Sequence, residues 1–217
     1  MLKYSKITKY KIKKILKYFS EDLPATKTAK IMEVNRKTID RYYTLFREKI
    51  LQASLAEMQG SVGEFEVDES YFGAKRVRGK RGRGAAGKTP VFGLLKREGN
   101  VFVSVVKNCS KEELMPIIQG KILGGSTIHS DGWKAYDGLI LNGYTHHRVH
   151  HSANEFARGK CHVNGIESFW SFTKRRLAKF NGVASNKFLL YLKESEFRFN
   201  HRYSNFYHIM LLVLKKF

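Results

Sequence analysis

Three carboxylates, Asp68, Asp131 and Glu167, stand in sequence settings suited to divalent-cation chemistry. Cleavage of a phosphodiester without a covalent intermediate is well served by two ions about 3.5–4 Å apart, one activating the nucleophile and one stabilising the leaving oxygen. Mg²⁺ or Mn²⁺ in such a site takes oxygen ligands and leaves room for water and phosphate. Two or three carboxylates from separate elements then suffice, provided the fold makes them converge. Asp68 lies in Glu66-Val67-Asp68-Glu69-Ser70-Tyr71-Phe72-Gly73, a β-rich stretch in which an aspartate is otherwise disfavoured. Asp131 follows Ile128-His129-Ser130, at the carboxyl edge of a short strand-like run, where the ligand sites of α/β sheets gather. Glu167 lies in Asn164-Gly165-Ile166-Glu167-Ser168-Phe169-Trp170, on a predicted helix whose apolar side packs on a sheet. Lys174 comes two turns later at about 3.6 residues per turn, so it shares the Glu167 face, and with Arg175 beside it can hold a DNA phosphate. Glu66, Glu69 and Asp137 are the competing acids, and Glu66, on the same strand face as Asp68, is a candidate supporting ligand.

The elements that must position these groups can be read from periodicity. The first fifty-odd residues are helical in pattern: Ile7, Tyr10, Ile15 and Phe19 recur near a helical period, Pro24 interrupts, and Ala25 to Met32 resumes. A tight turn at Glu33-Val34-Asn35 precedes a longer helix from Arg36 to Lys49, with Ile39, Tyr43 and Phe46 inward. Short helix, turn and longer polar helix match a helix-turn-helix, with Arg36, Lys37 and Arg41 where groove-reading side chains belong. A plain helical bundle with a basic face is the competing reading. Gln59 to Gly63 reads as a linker, after which the pattern turns strand-like. Glu64 to Tyr71 alternates, with Phe65 and Val67 on one face and Glu66 and Asp68 on the other. Pro90–Leu95 and Asn100–Val106 form a predicted hairpin about Arg97-Glu98-Gly99, and a capping box at Ser110 opens a helix to Gln119. Ser126–Ser130 and Tyr144–His150 are further strands, with a brief helix from Trp133 to Tyr136 between them. Asn164–Lys179 and Asn186–His201 are long helices, and Tyr207 to Phe217 is a tail. This order predicts an α/β fold: a ribonuclease-H-like mixed sheet over residues 64–205, an all-α helix-turn-helix domain over 1–58, and a tail over 206–217.

Charge narrows the partners. Forty Lys and Arg against nineteen Asp and Glu give +21 at pH 7, and the pI is near 10.0. An excess of that size favours a polyanion, because every phosphate neutralised by the protein releases counterions. Residues 73–88 concentrate it, carrying Arg78, Lys80, Arg81, Arg83 and Lys88 among glycines with no acid. They read as an arm that tracks phosphates, against the plainer reading of a solvated loop. No apolar run approaches the ~20 residues of a membrane span, and neither cysteine, Cys109 or Cys161, sits in a C-x-x-C pair. A membrane is therefore not an expected partner, a cytoplasmic location is expected, and zinc is not. His146, His147, His150, His151 and His162 fit no standard zinc spacing; His162, near the Glu167 helix, is a candidate contact to the scissile strand. Trp133 and Trp170 read as core residues.

Taken in order, these motifs resemble bacterial insertion-sequence transposases of the DDE class, in the ISXO-type group. The resemblance is carried by Val67-Asp68-Glu69-Ser70-Tyr71-Phe72-Gly73, Gly79-Lys80-Arg81-Gly82-Arg83-Gly84-Ala85-Ala86-Gly87-Lys88-Thr89-Pro90-Val91-Phe92-Gly93, Ser130-Asp131-Gly132-Trp133-Lys134-Ala135-Tyr136, His162-Val163-Asn164-Gly165-Ile166-Glu167-Ser168-Phe169-Trp170-Ser171 and Glu196-Phe197-Arg198-Phe199-Asn200-His201-Arg202. It implies Asp68, Asp131 and Glu167 as the catalytic triad, holding two Mg²⁺ or Mn²⁺, with Lys174 as basic companion. Some relatives carry Asn as the third residue, which makes Asn164 the reserve candidate. It further implies hydrolysis and strand transfer at double-stranded element-end and target DNA by a homo-oligomer. Many members carry an N-terminal zinc ribbon, for which this chain has no cysteines, leaving end recognition to the helical segment. The alternatives are a nuclease of the same fold without strand transfer and a helix-turn-helix regulator that no longer catalyses.

Overall fold

A computed structural model describes residues 7–55, 60–73, 87–131, 136, 138–149 and 162–215. The chain divides into two compact units, Met1–Leu55 with His201–Phe217, and Ala56–Asn200. Residues 133–135 of the predicted helix at Trp133–Tyr136, residues 74–86 of the basic segment, and Cys161, His150 and His151 fall outside the described residues.

In the first unit, the Thr8 side chain accepts from the Lys11 N–H at 3.3 Å and starts α1 (Lys9–Ser20). Pro24 precedes α2 (Ala25–Met32), which ends on Glu33 in the left-handed region at φ 53°. Asn35 then accepts from the Lys37 N–H at 2.8 Å and opens α3 (Arg36–Leu55). This helix runs past Lys49 because Ile50 and Ser54 continue its buried stripe of Ile39, Tyr42, Tyr43 and Phe46. The Phe19 ring meets Tyr43 and Phe46 edge-on at 4.9 and 5.3 Å, and burying each such ring is worth about 1.5–3 kcal/mol. Residues expected to form a tail fold instead as α7 (Phe206–Lys215), which packs Met210 and Val213 against α1 and α3. So short a helix is marginal alone and forms because its apolar face has a partner.

The second unit is built on a five-stranded sheet of order β3-β2-β1-β4-β5. Strands β1 (Glu64–Phe72), β2 (Thr89–Lys96) and β3 (Val101–Val105) form an antiparallel meander. β4 (Thr127–Asp131) adds parallel to β1, and β5 (Thr145–Val149) parallel to β4. The mixed sheet expected from the sequence is therefore present, with helices on both faces. One face buries Phe65, Val67, Phe92, Leu94 and Ile128 under α4 (Lys111–Lys121), through Leu114, Met115 and Ile118. The other buries Val91, Leu95, Val101 and Val103 under α5 (Asn164–Ala178) and α6 (Ser185–Asn200), through Ile166, Phe169, Trp170, Leu192 and Phe199. The capping box predicted for α4 does not form: Ser110 makes no side-chain cap bond, and Glu113 reaches instead to the Lys107 N–H at 3.2 Å.

The exposed edge of β3 is closed by side chains of α6 rather than by a strand. Glu196 accepts from the Val103 N–H at 2.7 Å, while Asn200 accepts from the Val101 N–H at 2.8 Å and donates to the Val101 carbonyl at 3.0 Å. An open sheet edge invites pairing with other chains, and these two residues of the Glu196–Asn200 motif occupy it. Lys193 neutralises the buried Glu196 at 2.7 Å, and Glu194 lies between Arg176 at 2.5 Å and Arg198 at 2.9 Å.

Candidate active site

Strand register brings Asp68 and Asp131 together. The parallel ladder pairs Glu64 with Thr127, Phe65 with Ile128 and Glu66 with His129; Asp68 and Asp131 each follow two residues after the last of these pairs, and the Asp131 charge bears on Asp68. Since Phe65, Val67 and Ile128 belong to the core under α4, strict alternation turns Glu66, Asp68, His129 and Asp131 toward the α5 face. Glu167 occupies the exposed first turn of α5. One turn later, the Trp170 indole N–H donates to Asp68 Oδ2 at 3.0 Å, which ties the helix of Glu167 directly to the strand of Asp68.

The electrostatics reflect the crowding of acids. Burial pushes the Asp68 carboxyl up to about 6, with the charges of Asp131 and Glu167 adding to it and the N–H groups of Glu69 and Trp170 opposing it. Burial likewise pushes Glu69 up to about 7; its hydrogen bond from the Tyr136 hydroxyl opposes the rise, while Asp68 and Asp131 reinforce it. Negative oxygen donors held together in a chain of net charge +21 suit a hard cation. Among the described residues no three acidic, imidazole or thiol groups stand close enough to hold an ion unaided. An ion bound by these carboxylates would therefore complete its shell with water and phosphate oxygens, as Mg²⁺ commonly does.

Glu66 has a different employment from the ligand role considered for it. Fully buried, it accepts the Ile166 N–H at 2.9 Å and so satisfies an open amide in the first turn of α5. Its other oxygen accepts from Arg97 Nε at 3.2 Å and faces His162 Nδ1 at 3.4 Å. Arg97 also donates to Glu64 at 2.8 Å and to the His162 carbonyl at 2.7 Å. Beside this network His129 is buried, stacks on His147 at 5.3 Å, and is held down to about 4, first by burial and then by the Arg97 and His147 charges. Two glycines make the fit of α5 on the sheet feasible. A Cβ on Gly165 would lie 2.4 Å from Leu95 Cδ2 and 2.9 Å from Glu66 Oε2. A Cβ on Gly93, the cross-strand partner of Asp68, would lie 2.6 Å from Trp170 Cζ2.

Of the remaining residues singled out from the sequence, His162 and Asn164 lie at the start of α5, Asn164 exposed. Lys174 and Arg175 are exposed on α5, and Lys174 Nζ sits over the Phe72 ring at 5.8 Å. Lys88 is half-buried just before β2. Arg36, Lys37 and Arg41 are exposed on α3 in the helical unit, Arg36 pairing with Asp40 at 3.4 Å. Arg78, Lys80, Arg81 and Arg83 lie outside the described residues. Sequence reasoning missed Arg97, which carries no pattern of its own, and the bond from Trp170 to Asp68. The glycine within strand β2 was a signal for the latter, since such a residue marks close approach.

The profile of the ISXO2-like transposase domain matches residues 59–200. An uncharacterized transposase-like protein of Haemophilus influenzae is 42% identical over 101 residues, covering 46% of this chain and 81% of the relative. An uncharacterized protein in the transposable element ISH50 of Halobacterium salinarum is 31% identical over 175 residues, 72% of this chain and 60% of that protein. Among solved structures, a Mos1 transposase paired-end complex with the left transposon end aligns over 94% of this chain and 80% of its own, at 10% identity and a TM-score of 0.31. The Mos1 strand transfer complex aligns at 11% identity and 0.31, over 94% and 79%. Similarity that low supports no inference about function.

Proposed function

The chain belongs to the ISXO2-like transposase family, and from that premise we propose that it cuts and joins DNA at the ends of a bacterial insertion sequence. The sheet-bearing unit serves as a ribonuclease-H-like catalytic domain with Asp68, Asp131 and Glu167 as its metal-holding carboxylates. The observation that supports this reading is that Asp68 and Asp131 stand on adjacent, paired parallel strands and that the charges of Asp131 and Glu167 both bear on the Asp68 carboxyl. Two Mg²⁺ or Mn²⁺ ions bound there supply an activated oxygen nucleophile and stabilise the leaving oxygen. Lys174, Arg175, His162, Asn164 and Lys88 hold and orient the phosphates of the scissile strand, and Arg78, Lys80, Arg81 and Arg83 follow the duplex beyond it. The helical unit reads the element end as a helix-turn-helix, with Arg36, Lys37 and Arg41 at the groove. Two ends cut in one complex require a homo-oligomer on DNA. No helix among the described residues is long and apolar enough to cross a membrane.

The test is a nicking assay on duplex DNA carrying the element boundary, with Mg²⁺ or Mn²⁺ and with EDTA. Metal-dependent nicks at the boundary, lost in Asp131→Asn while end binding persists, are the expected result. Binding without cutting under all metal conditions would leave a DNA-binding regulator. Cutting without joined products would leave a nuclease.

A further inference from the structure

We propose that Trp170 is a positioning residue for the metal-holding carboxylate Asp68, and that Gly93 exists to admit its indole. The inference rests on the reading of Asp68 and Glu167 as ligands and extends it to a residue one turn along α5. Three observations point the same way. Trp170 is 5% exposed, yet its one polar atom is spent on Asp68 Oδ2, at 3.0 Å. The residue facing Asp68 across the ladder is Gly93, and a Cβ there would strike the indole at 2.6 and 2.8 Å and Ile166 Cδ1 at 3.0 Å. The ring is then braced by Phe72 at 6.0 Å and Phe169 at 5.0 Å, so the N–H has a fixed direction.

An N–H aimed at one carboxylate oxygen restricts rotation of the group and fixes the direction in which its remaining lone pairs face the metal position. The same bond anchors α5 one turn after Glu167, so the separation of the two ligands is set by a rigid bicycle rather than by a flexible chain. Any buried indole N–H needs an acceptor, but a plain core tryptophan could take a backbone carbonyl. Here the acceptor is the carboxylate read as a ligand, and the strand residue opposite that acid is the glycine that makes room for the ring.

The test compares Mn²⁺ binding by the full chain, wild type against Trp170→Phe, measured by the loss of the free-ion electron paramagnetic resonance signal. Asp68→Asn marks the level of binding that does not involve the site. Trp170→Phe keeps an aromatic ring and removes the donor; outer-shell changes of this kind typically weaken metal binding about 10–100-fold. Affinity for element-end DNA in EDTA should remain at the wild-type level, and nicking should recover at high Mn²⁺. Benzothienylalanine at position 170, which keeps the bicycle and removes only the N–H, should give the same loss, and decides the matter if Trp170→Phe fails to fold. Wild-type Mn²⁺ affinity in the benzothienylalanine protein overturns the positioning role and leaves the ligand reading intact. Wild-type binding no stronger than that of Asp68→Asn overturns both.

Discussion

Removing the carboxylate of Glu66 separates a structural acid from a ligand. In Glu66→Ala the Ile166 N–H loses its acceptor at 2.9 Å and Arg97 loses a partner at 3.2 Å. Breaking a buried pair costs about 3–5 kcal/mol when the surviving charge is left alone. Here Arg97 keeps Glu64 at 2.8 Å and the His162 carbonyl at 2.7 Å. The expected loss is therefore smaller, about 2–3 kcal/mol including the helix-start amide. Glu66→Gln retains an acceptor for Ile166 and gives up only the charge, for about 1–2 kcal/mol. At roughly 2–4 °C per kcal/mol for a chain of this size, the alanine variant should melt about 5–10 °C lower. Thermal unfolding in EDTA, followed by tryptophan fluorescence, measures this, with Mn²⁺ affinity determined on the same samples. Glu66→Gln should bind Mn²⁺ as the wild type does. If it stays folded but no longer binds, Glu66 is a ligand and the reasoning fails; an alanine variant that melts with the wild type would refute the network's contribution.

The raised carboxyl of Asp68, about 6, means that the folded state binds its proton more tightly than the unfolded state, so ionisation disfavours folding as pH rises from about 4 to about 6. His129, lowered to about 4, acts in the opposite sense over much of that range, so the prediction concerns the difference between wild type and Asp68→Asn. In EDTA the variant should gain about 2 kcal/mol on the wild type between pH 4 and 7 once partial exposure of the carboxylate is allowed for; urea unfolding that gives a pH-independent difference refutes this. Glu196→Ala should free the Val103 amide and take the Glu196 carboxylate away from buried Lys193, costing about 2–4 kcal/mol. Hydrogen exchange at Val101 and Val103 reads the opened edge, and unchanged protection would count against it. Replacing Arg78, Lys80, Arg81, Arg83 and Lys88 with Ser should lower the slope of DNA affinity against salt by about 0.9 for each phosphate no longer neutralised; an unaltered slope removes the arm from the binding surface.

The alternation of Phe65 and Val67 against Glu66 and Asp68 was legible because a strand assigns faces by a period of two, whatever surrounds it. Likewise the meander, the later strands and the helix of Glu167 could be read from local pattern and turn residues. Helix α7 could not, since its short apolar run acquires meaning only from the face of α1 and α3 that it covers. The outward groups of β3 gave no hint in sequence that Glu196 and Asn200 would satisfy them.

The candidate site divides along the same line. Sequence alone determined which acids are available, which strand face Asp68 occupies, and that Lys174 shares a helix face with Glu167. Tertiary structure alone decided that Glu66 is committed to the start of α5, that Arg97 joins it there, and that Trp170 reaches Asp68 over Gly93. The physical reason is range: backbone periodicity acts between near neighbours in the chain, whereas hydrogen bonds and close packing depend on distances that exist only once the sheet has been paired and the helix laid upon it.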